Sequence, residues 1–371
     1  MNWQPDDRYR VENIGEVDSP ALLVFPAVIE SNIDRALELT ATYGGHCLQP
    51  HIKTVKTLEI ARMAIDRGIT RFKCSTVSEG ELLGQAGAER VLLSYQLSDV
   101  KARRWQRLRD SFPGTEFSAL IDNPDTARML SGRFAERPLN VYVDVNPGMD
   151  RTGIRPDDVP ELLQIIHELP GLELRGFHVY DGHLRDPDES ARREQAGALF
   201  AKVESLRLPA ETQYVRELEV VVAGSPNFPF YVGKRNTWVS PGTFFLWDAG
   251  YGDSFANWGF EPAALVLSRI ISVVTDKKFC LDMGSKAVAP DKAQPRMYFP
   301  GIGEYAVEGQ WEEHLVIRVP DTSSYRVGEP FFAVPAHVCT TVNLYEELLP
   351  VTHGRVEEGW RVVARDRRIT I

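Results

Sequence analysis

The stretch QPHIKTVK, residues 49–56, closes a short strand-like run with a histidine and two lysines. A lysine at a strand end is ordinarily a solvated charge. Lys53, beside His51, has a second reading, because an amine kept neutral by desolvation is a nucleophile for carbonyl compounds. Lys56 falls one helical turn further on and is expected to face solvent. Ala223-Gly224-Ser225 follows a valine run. Small residues there let backbone N–H groups approach an anion such as phosphate, and an ordinary tight turn is the plainer alternative. Arg151 stands in a glycine-bearing loop, GMDRTG, where its fork of donors suits a phenolate, carboxylate or phosphate and where it could equally be a surface residue. In YDGH, residues 180–183, Tyr180 offers a flat face to a ring and His183 an acid–base group, although both residue types also serve structure. His337-Val338-Cys339 is the last constellation. On a strand, positions i and i+2 share a face, and histidine with cysteine suits a borderline cation such as zinc. Two ligands are too few for a closed structural site, but open positions are what a catalytic metal needs. A buried cysteine beside a satisfied histidine is the bland alternative.

Elements able to hold these residues alternate along the chain. Short β-branched or aromatic runs occur at 46–52, 71–76, 90–95, 116–122, 140–145, 174–180, 218–224 and 237–240. Helical stretches separate most of them. In one, Val159, Leu162, Leu163, Ile165, Ile166 and Leu169 recur with a period near 3.6. Eight such units predict a (β/α)8 TIM-type barrel over residues 20–243, with the chemistry at the C-terminal ends of the strands. Lys53, Cys74, Ser75, Tyr95, Asp122, the 146–153 loop, YDGH and AGS all fall at such ends. The segment before the eighth run, SPNFPFYVGKRN, shows no helix. Beyond about residue 245 the helical period fades, and consecutive β runs predict a mostly antiparallel β domain formed by residues 1–19 and 244–371.

The 371 residues carry a net charge of −10, which argues against a nucleic-acid partner. The N-terminal MNWQPDDRYR lacks an apolar core of the secretory kind, and no apolar run is long enough to span a membrane. Four cysteines, Cys47, Cys74, Cys280 and Cys339, lack disulfide-like spacing. A reduced, cytoplasmic protein is the expectation.

Taken together, DSPALLVFPAVIESNI, QPHIKTVK, DVNPGMDRTGI, HVYDGH, SPGTFFLWDAGY, LDMGSKAV, EEHLVI and AHVCTTVNLY run in the order of a known family. The chain resembles the alanine-racemase-like, fold-type III pyridoxal-phosphate enzymes, and within them the D-threonine aldolase and D-serine dehydratase group. The resemblance implies that Lys53 bonds covalently to pyridoxal 5'-phosphate. It further implies that Arg151 neighbours the phenolic oxygen, Tyr180 the ring, and Gly224 with Ser225 the phosphate, with Tyr251 also at the cofactor. His337 and Cys339 would bind a divalent metal, zinc first and manganese or magnesium as alternatives, and His183 would assist proton transfer. A homodimer with composite sites is implied as well. The expected activity is cleavage of a D-β-hydroxy amino acid to glycine and an aldehyde, with dehydration to ammonia and a 2-oxo acid second. An amino-acid racemase and a non-catalytic pyridoxal-phosphate carrier come last. Gln49, Val55 and Pro226 depart from the family pattern.

Overall fold

The computed structural model describes residues 3–371. Its contacts divide the chain into two compact units. One comprises Ala36–Lys53, Ala61–Gly242 and Asp366–Ile371, and the other comprises the residues up to Arg35, Thr54–Ile60 and Thr243–Arg365.

Strand β1 (Ala21–Val24) belongs to the second unit. The first unit holds seven parallel strands in chain order: β2 (Arg71–Cys74), β3 (Arg90–Gln96), β4 (Glu116–Ile121), β5 (Leu139–Val145), β6 (Leu172–Val179), β7 (Glu219–Val222) and β8 (Thr237–Val239). Helices separate most of them, and side-chain caps start several. Thr76 accepts from the Glu79 N–H while the Glu79 carboxylate accepts from the Ser75 N–H, which opens α3 (Val77–Ala86). Asn123 caps α5 (Pro124–Arg133), with proline at its first turn.

The expected first strand, 46–52, is not a regular strand. Gly45–His46 pairs with Ala41–Thr42 in a small hairpin, and Pro50 has no N–H to give to a ladder. The segment still closes the barrel. Leu48 bridges Val239 at one sheet edge and His51 bridges Lys73 at the other, with Gln49 N–H donating to Val239 O and Lys73 N–H to Pro50 O, both at 2.8 Å. The segment before β8 carries only a short 3-10 turn, Phe228–Tyr231, where no helix was expected.

Period-two alternation sends every second residue of each strand into the barrel lumen. At the N-terminal ends, Arg71 makes two hydrogen bonds to Glu219, at 2.6 and 3.1 Å, and lies 3.7 Å above the Trp238 ring. Arg90 and the Tyr142 hydroxyl also reach Glu219, at 3.2 and 2.6 Å. Leu92, Leu120, Tyr142 and Val221 form the buried layer above. Higher still come Lys73, Asp144 and His178, all buried. A Cβ at Gly176 would lie 1.9 Å from the Glu219 carbonyl oxygen, so glycine is what allows β6 and β7 to pair there.

The second unit is mostly antiparallel, as expected. β1 pairs antiparallel with β9 (Ala264–Thr275), which pairs antiparallel with β10 (Lys278–Leu281). β11 (Ala306–Gln310) and β12 (Leu315–Arg318) extend that side, and β13 (Pro330–Pro335) also pairs with β9. The exception is β14 (Glu347–Thr352), parallel to β1. His337 and Cys339 were expected to share a strand face, and they do not. β13 stops at Pro335, and His337 is the N-cap of α9 (Val338–Val342). The Asp248 carboxylate, which accepts from the Val338 N–H at 3.1 Å, anchors the first turn of that helix. Among the described residues, no helix is long and apolar enough to cross a membrane, and no disulfide joins the cysteines.

Glu219 faces two opposing influences. Burial favours its neutral form, but the hydrogen bonds and charges of Arg71, Tyr142 and Arg90 prevail and hold it below the ordinary carboxylate range. Glu219→Ala should cost about 3 kcal/mol at neutral pH, because it strands the largely buried Arg71 guanidinium. A carboxylate with a depressed folded-state value stabilises above its ordinary value and loses that contribution as pH falls. Denaturant unfolding should therefore show the variant's deficit shrinking in acid.

Candidate active site

Lys53 sits half-buried in a 3-10 turn, Ile52–Thr54, that continues from the barrel-closing segment. The turn is held from below by His51. The Lys53 N–H donates to His51 Nδ1 at 3.3 Å, so the ring proton is on Nε2, which faces Ser75 Oγ at 2.9 Å and Ser94 Oγ at 3.3 Å. Ser94 in turn donates to Cys74 O. Three barrel segments thus fix the backbone from which the Lys53 side chain departs. Lys56 is not on a helix surface as expected. It has a left-handed φ of 55°, is half-buried, and precedes α2 (Leu58–Asp66).

Beneath the mouth runs a network that sequence reading did not anticipate. Lys73 Nζ lies 3.3 Å from His178 Nε2, and His178 Nδ1 lies 2.7 Å from Asp144 Oδ1. Gln96 Nε2 donates to both Asp144 and Asp122, at 2.8 and 2.9 Å. Asp144 also accepts from Thr152, and Asp122 from the Gly153 N–H at 3.2 Å. Two carboxylates therefore tie down the loop that carries Arg151. Gly153 is needed there: its φ is +100°, and a Cβ would fall 2.7 Å from Asn146 N. Burial pushes Asp144 towards its neutral form, but His178, Gln96 and Thr152 outweigh that and hold it below the ordinary range. His178 is lowered by burial first and by the Lys73 charge second, and so donates to Asp144 as a neutral imidazole. Burial, then the nearby Lys53 charge, lowers Lys73 to about 7 against the pull of Asp144 and Asp181.

Tyr180 stands next to this network. The Arg151 guanidinium lies 4.9 Å from its ring centroid and Lys73 Nζ 5.9 Å. Gly182 and Gly224 leave room for the ring, since Cβ atoms there would fall 2.3 and 3.0 Å from it. The two expected anion-holding residues are partly committed. Gly224 N–H donates to the buried Asp181 at 3.1 Å, and Ser225 Oγ accepts from the Gly242 N–H at 3.2 Å. Ser240 Oγ and Gln49 Oε1 are buried without a hydrogen-bond partner. His183 is exposed, 3.6 Å from the position a Cβ would take on Gly148. It lines a cavity of about 240 Å³ with Pro147, Leu184 and Leu199, apart from the hydrogen bonds of the lumen.

The second unit contains the other expected residues. His337 Nδ1 lies 2.5 Å from Asp291 Oδ2, and Thr340 donates to the other Asp291 oxygen at 3.0 Å. His337 also hydrogen-bonds Cys339; that bond first, and Asp291 after it, raise the imidazolium to about 9 against burial. Cys339 Sγ lies 3.2 Å from Thr54 Oγ1 and 3.7 Å from Thr243 Oγ1. Among the described residues no group of three or more histidine, cysteine or acidic side chains is arranged around a metal position. Tyr251, on α8 (Ala249–Ser254), packs against Trp247 and Phe255.

Lys73, His178, Asp144 and Asp291 were absent from the sequence reading. The first three had a signal. Each is a charged or polar residue near the C-terminal end of a parallel strand, where burial requires a partner. Asp291 lies in a polar loop and carried none.

Comparison with known proteins covers most of the chain. Residues 26–248 match the model of the alanine racemase N-terminal domain, and residues 263–351 match a putative serine dehydratase domain. A D-threonine aldolase of Arthrobacter sp. is 28% identical, over 95% of this chain and 94% of that protein. A D-threo-3-hydroxyaspartate dehydratase of Delftia sp. is 25% identical, over 88% of this chain and 92% of that protein. The crystal structure of a D-threonine aldolase from Filomicrobium marinum superposes with a TM-score of 0.82 at 27% identity, covering 95% of this chain and 96% of the other. With its parallel barrel, its lysine in the turn after the barrel-closing segment and this match over most of its length, the chain belongs to the alanine racemase N-terminal domain family.

Proposed function

We propose that this chain is a pyridoxal-phosphate- and divalent-metal-dependent lyase that cleaves a D-configured β-hydroxy amino acid to glycine and an aldehyde. The observation that carries the reading is Lys53 at the barrel mouth, its backbone fixed by His51. The pocket fits the cofactor. It offers an amine, a guanidinium beside an aromatic ring, and a cradle at Gly182 and Gly224, where a Cβ would fall against that ring. Lys53 would bond the cofactor aldehyde, Arg151 would face its phenolic oxygen, Tyr180 its ring, and Ser225 with Gly224 its phosphate, with Tyr251 a further contact. Bound there, pyridoxal phosphate supplies an electron sink for charge developing at the substrate Cα.

The donor set at α9 fits a borderline cation. Asp291 holds Nδ1 of His337, so that Nε2 and the Cys339 sulfur would be the two protein ligands. Two protein ligands leave open positions, through which such an ion supplies Lewis-acid activation of the substrate hydroxyl. Cleavage requires that the hydroxyl lose its proton, and His183 is the residue proposed to take it. Dehydration is the second reading, favoured by cysteine rather than a carboxylate at position 339. There Lys53 Nζ would take the Cα proton instead.

One assay separates the two. With cofactor and metal supplied, D-threonine should yield acetaldehyde and glycine; 2-oxobutanoate with ammonia would assign the dehydratase, and neither pair would sink both. Lys53→Ala should abolish the activity and the visible absorbance of the lysine-bound cofactor. For the metal, His337→Ala should lose the ion on dialysis, and Asp291→Ala should weaken metal affinity by about 10–100-fold, the usual cost of removing a carboxylate behind a ligating histidine. Competition with a chelator measures both, and unchanged metal content in His337→Ala would remove that residue from the site.

A further inference from the structure

Lys73 has no part in the reaction as proposed, yet it is the most buried amine of the barrel unit that faces other charges. It is 2% exposed, and a lysine is almost never that buried without a partner. Its partner is His178, whose Nδ1 is committed to Asp144, so a bare Nε2 faces the amine at 3.3 Å. One N–H of Lys73 satisfies that nitrogen. Whether the amine carries a third proton is then decided by the charges around it: Lys53 from the turn above and Arg151 from the 146–153 loop against it, Asp144 on β5 and Asp181 after β6 in favour of it. Tyr180 presents its ring face on the same side. In an empty lumen these influences and burial leave the proton loosely held near neutrality. An anion placed beside Lys53 and Arg151 would tip the balance, because it screens the repulsion from both cations and adds an attraction of its own.

We propose that Lys73, held by His178 and Asp144, is a charge-setting residue of the cofactor pocket that takes up a proton when an anionic ligand such as a phosphorylated pyridine binds. It is a positioning residue: it matches the ligand's negative charge from within the lumen and makes affinity for anions depend on pH. The sign follows from linkage. The ligand raises the proton affinity of Lys73, so binding is strongest where the amine is already protonated. Affinity falls as pH rises from the free-protein value to the bound-state value, and is flat above both. A one-unit change in proton affinity corresponds to about a tenfold change in ligand affinity.

The inference builds on the reading of Lys53 as the cofactor lysine, and the test separates the two. The full chain, freed of cofactor, is titrated by calorimetry with deoxypyridoxine phosphate, in which a methyl group replaces the reactive aldehyde, in buffers of differing ionisation enthalpy. Wild type should take up a fraction of a proton near neutral pH, with affinity about tenfold tighter in mild acid than in mild base. Lys73→Met, with Lys73→Arg as a permanent cation, should show no uptake beyond the ligand's own and a flattened profile, weak for Met and tight for Arg. Equal uptake in wild type and Lys73→Met, or no uptake in wild type, overturns the proposal. In a parallel arm, pyridoxal phosphate is added, the adduct reduced with borohydride, and the labelled peptide located. If no label falls on Lys53 while the Lys73-dependent uptake persists, the cofactor reading fails and the charge site stands.

Discussion

An ionised carboxylate buried at the top of a barrel lumen is costly unless donors surround it, and Asp144 has three. It receives His178, Gln96 and Thr152 together. Through His178 it determines which nitrogen faces Lys73. Through Gln96 it is coupled to Asp122, which holds Gly153. Through Thr152 it holds the residue next to Arg151. The amine below the pocket and the guanidinium beside its ring are therefore both placed by the satisfaction of one carboxylate. A half-satisfied network of this kind would be worse than an apolar core, so its members must be present together.

The same device occurs again in the other unit. Asp291 binds Nδ1 of His337 much as Asp144 binds Nδ1 of His178. In each case a carboxylate takes Nδ1 and turns the other ring nitrogen towards a different group. The difference lies in burial. His178 is enclosed beside a cation and is held neutral, whereas His337 is partly exposed beside a thiol and readily carries a proton. One arrangement holds an amine, and the other a thiol.

Much of the site was legible from local chemistry. Strand periodicity placed the residues of the barrel mouth, because alternation in a parallel strand is a local property that survives any tertiary arrangement. Lys53 was picked out because a lysine ending a strand run beside a histidine needs a reason. The turn after β7 was legible in composition but less so in function, since the Gly224 N–H is given to Asp181, a residue far away in the chain. His337 and Cys339 were selected on a strand geometry that the structure does not have. A strand was assumed through Pro335, whereas the Asp248 carboxylate starts a helix there.

The amino-acid sequence by itself determined the parallel barrel and the antiparallel second unit, because these depend on residue type and on periods of two and 3.6. Only the tertiary structure decided how the barrel closes, through a segment broken by Pro50 that bridges β8 and β2 instead of forming a strand. It alone brought Lys73, His178 and Asp144, which lie on three different strands, within hydrogen-bond reach of one another. The physical reason is that hydrogen-bond satisfaction in a closed lumen depends on which strands face each other across it. That is a property of curvature and register, and no local stretch of sequence contains it.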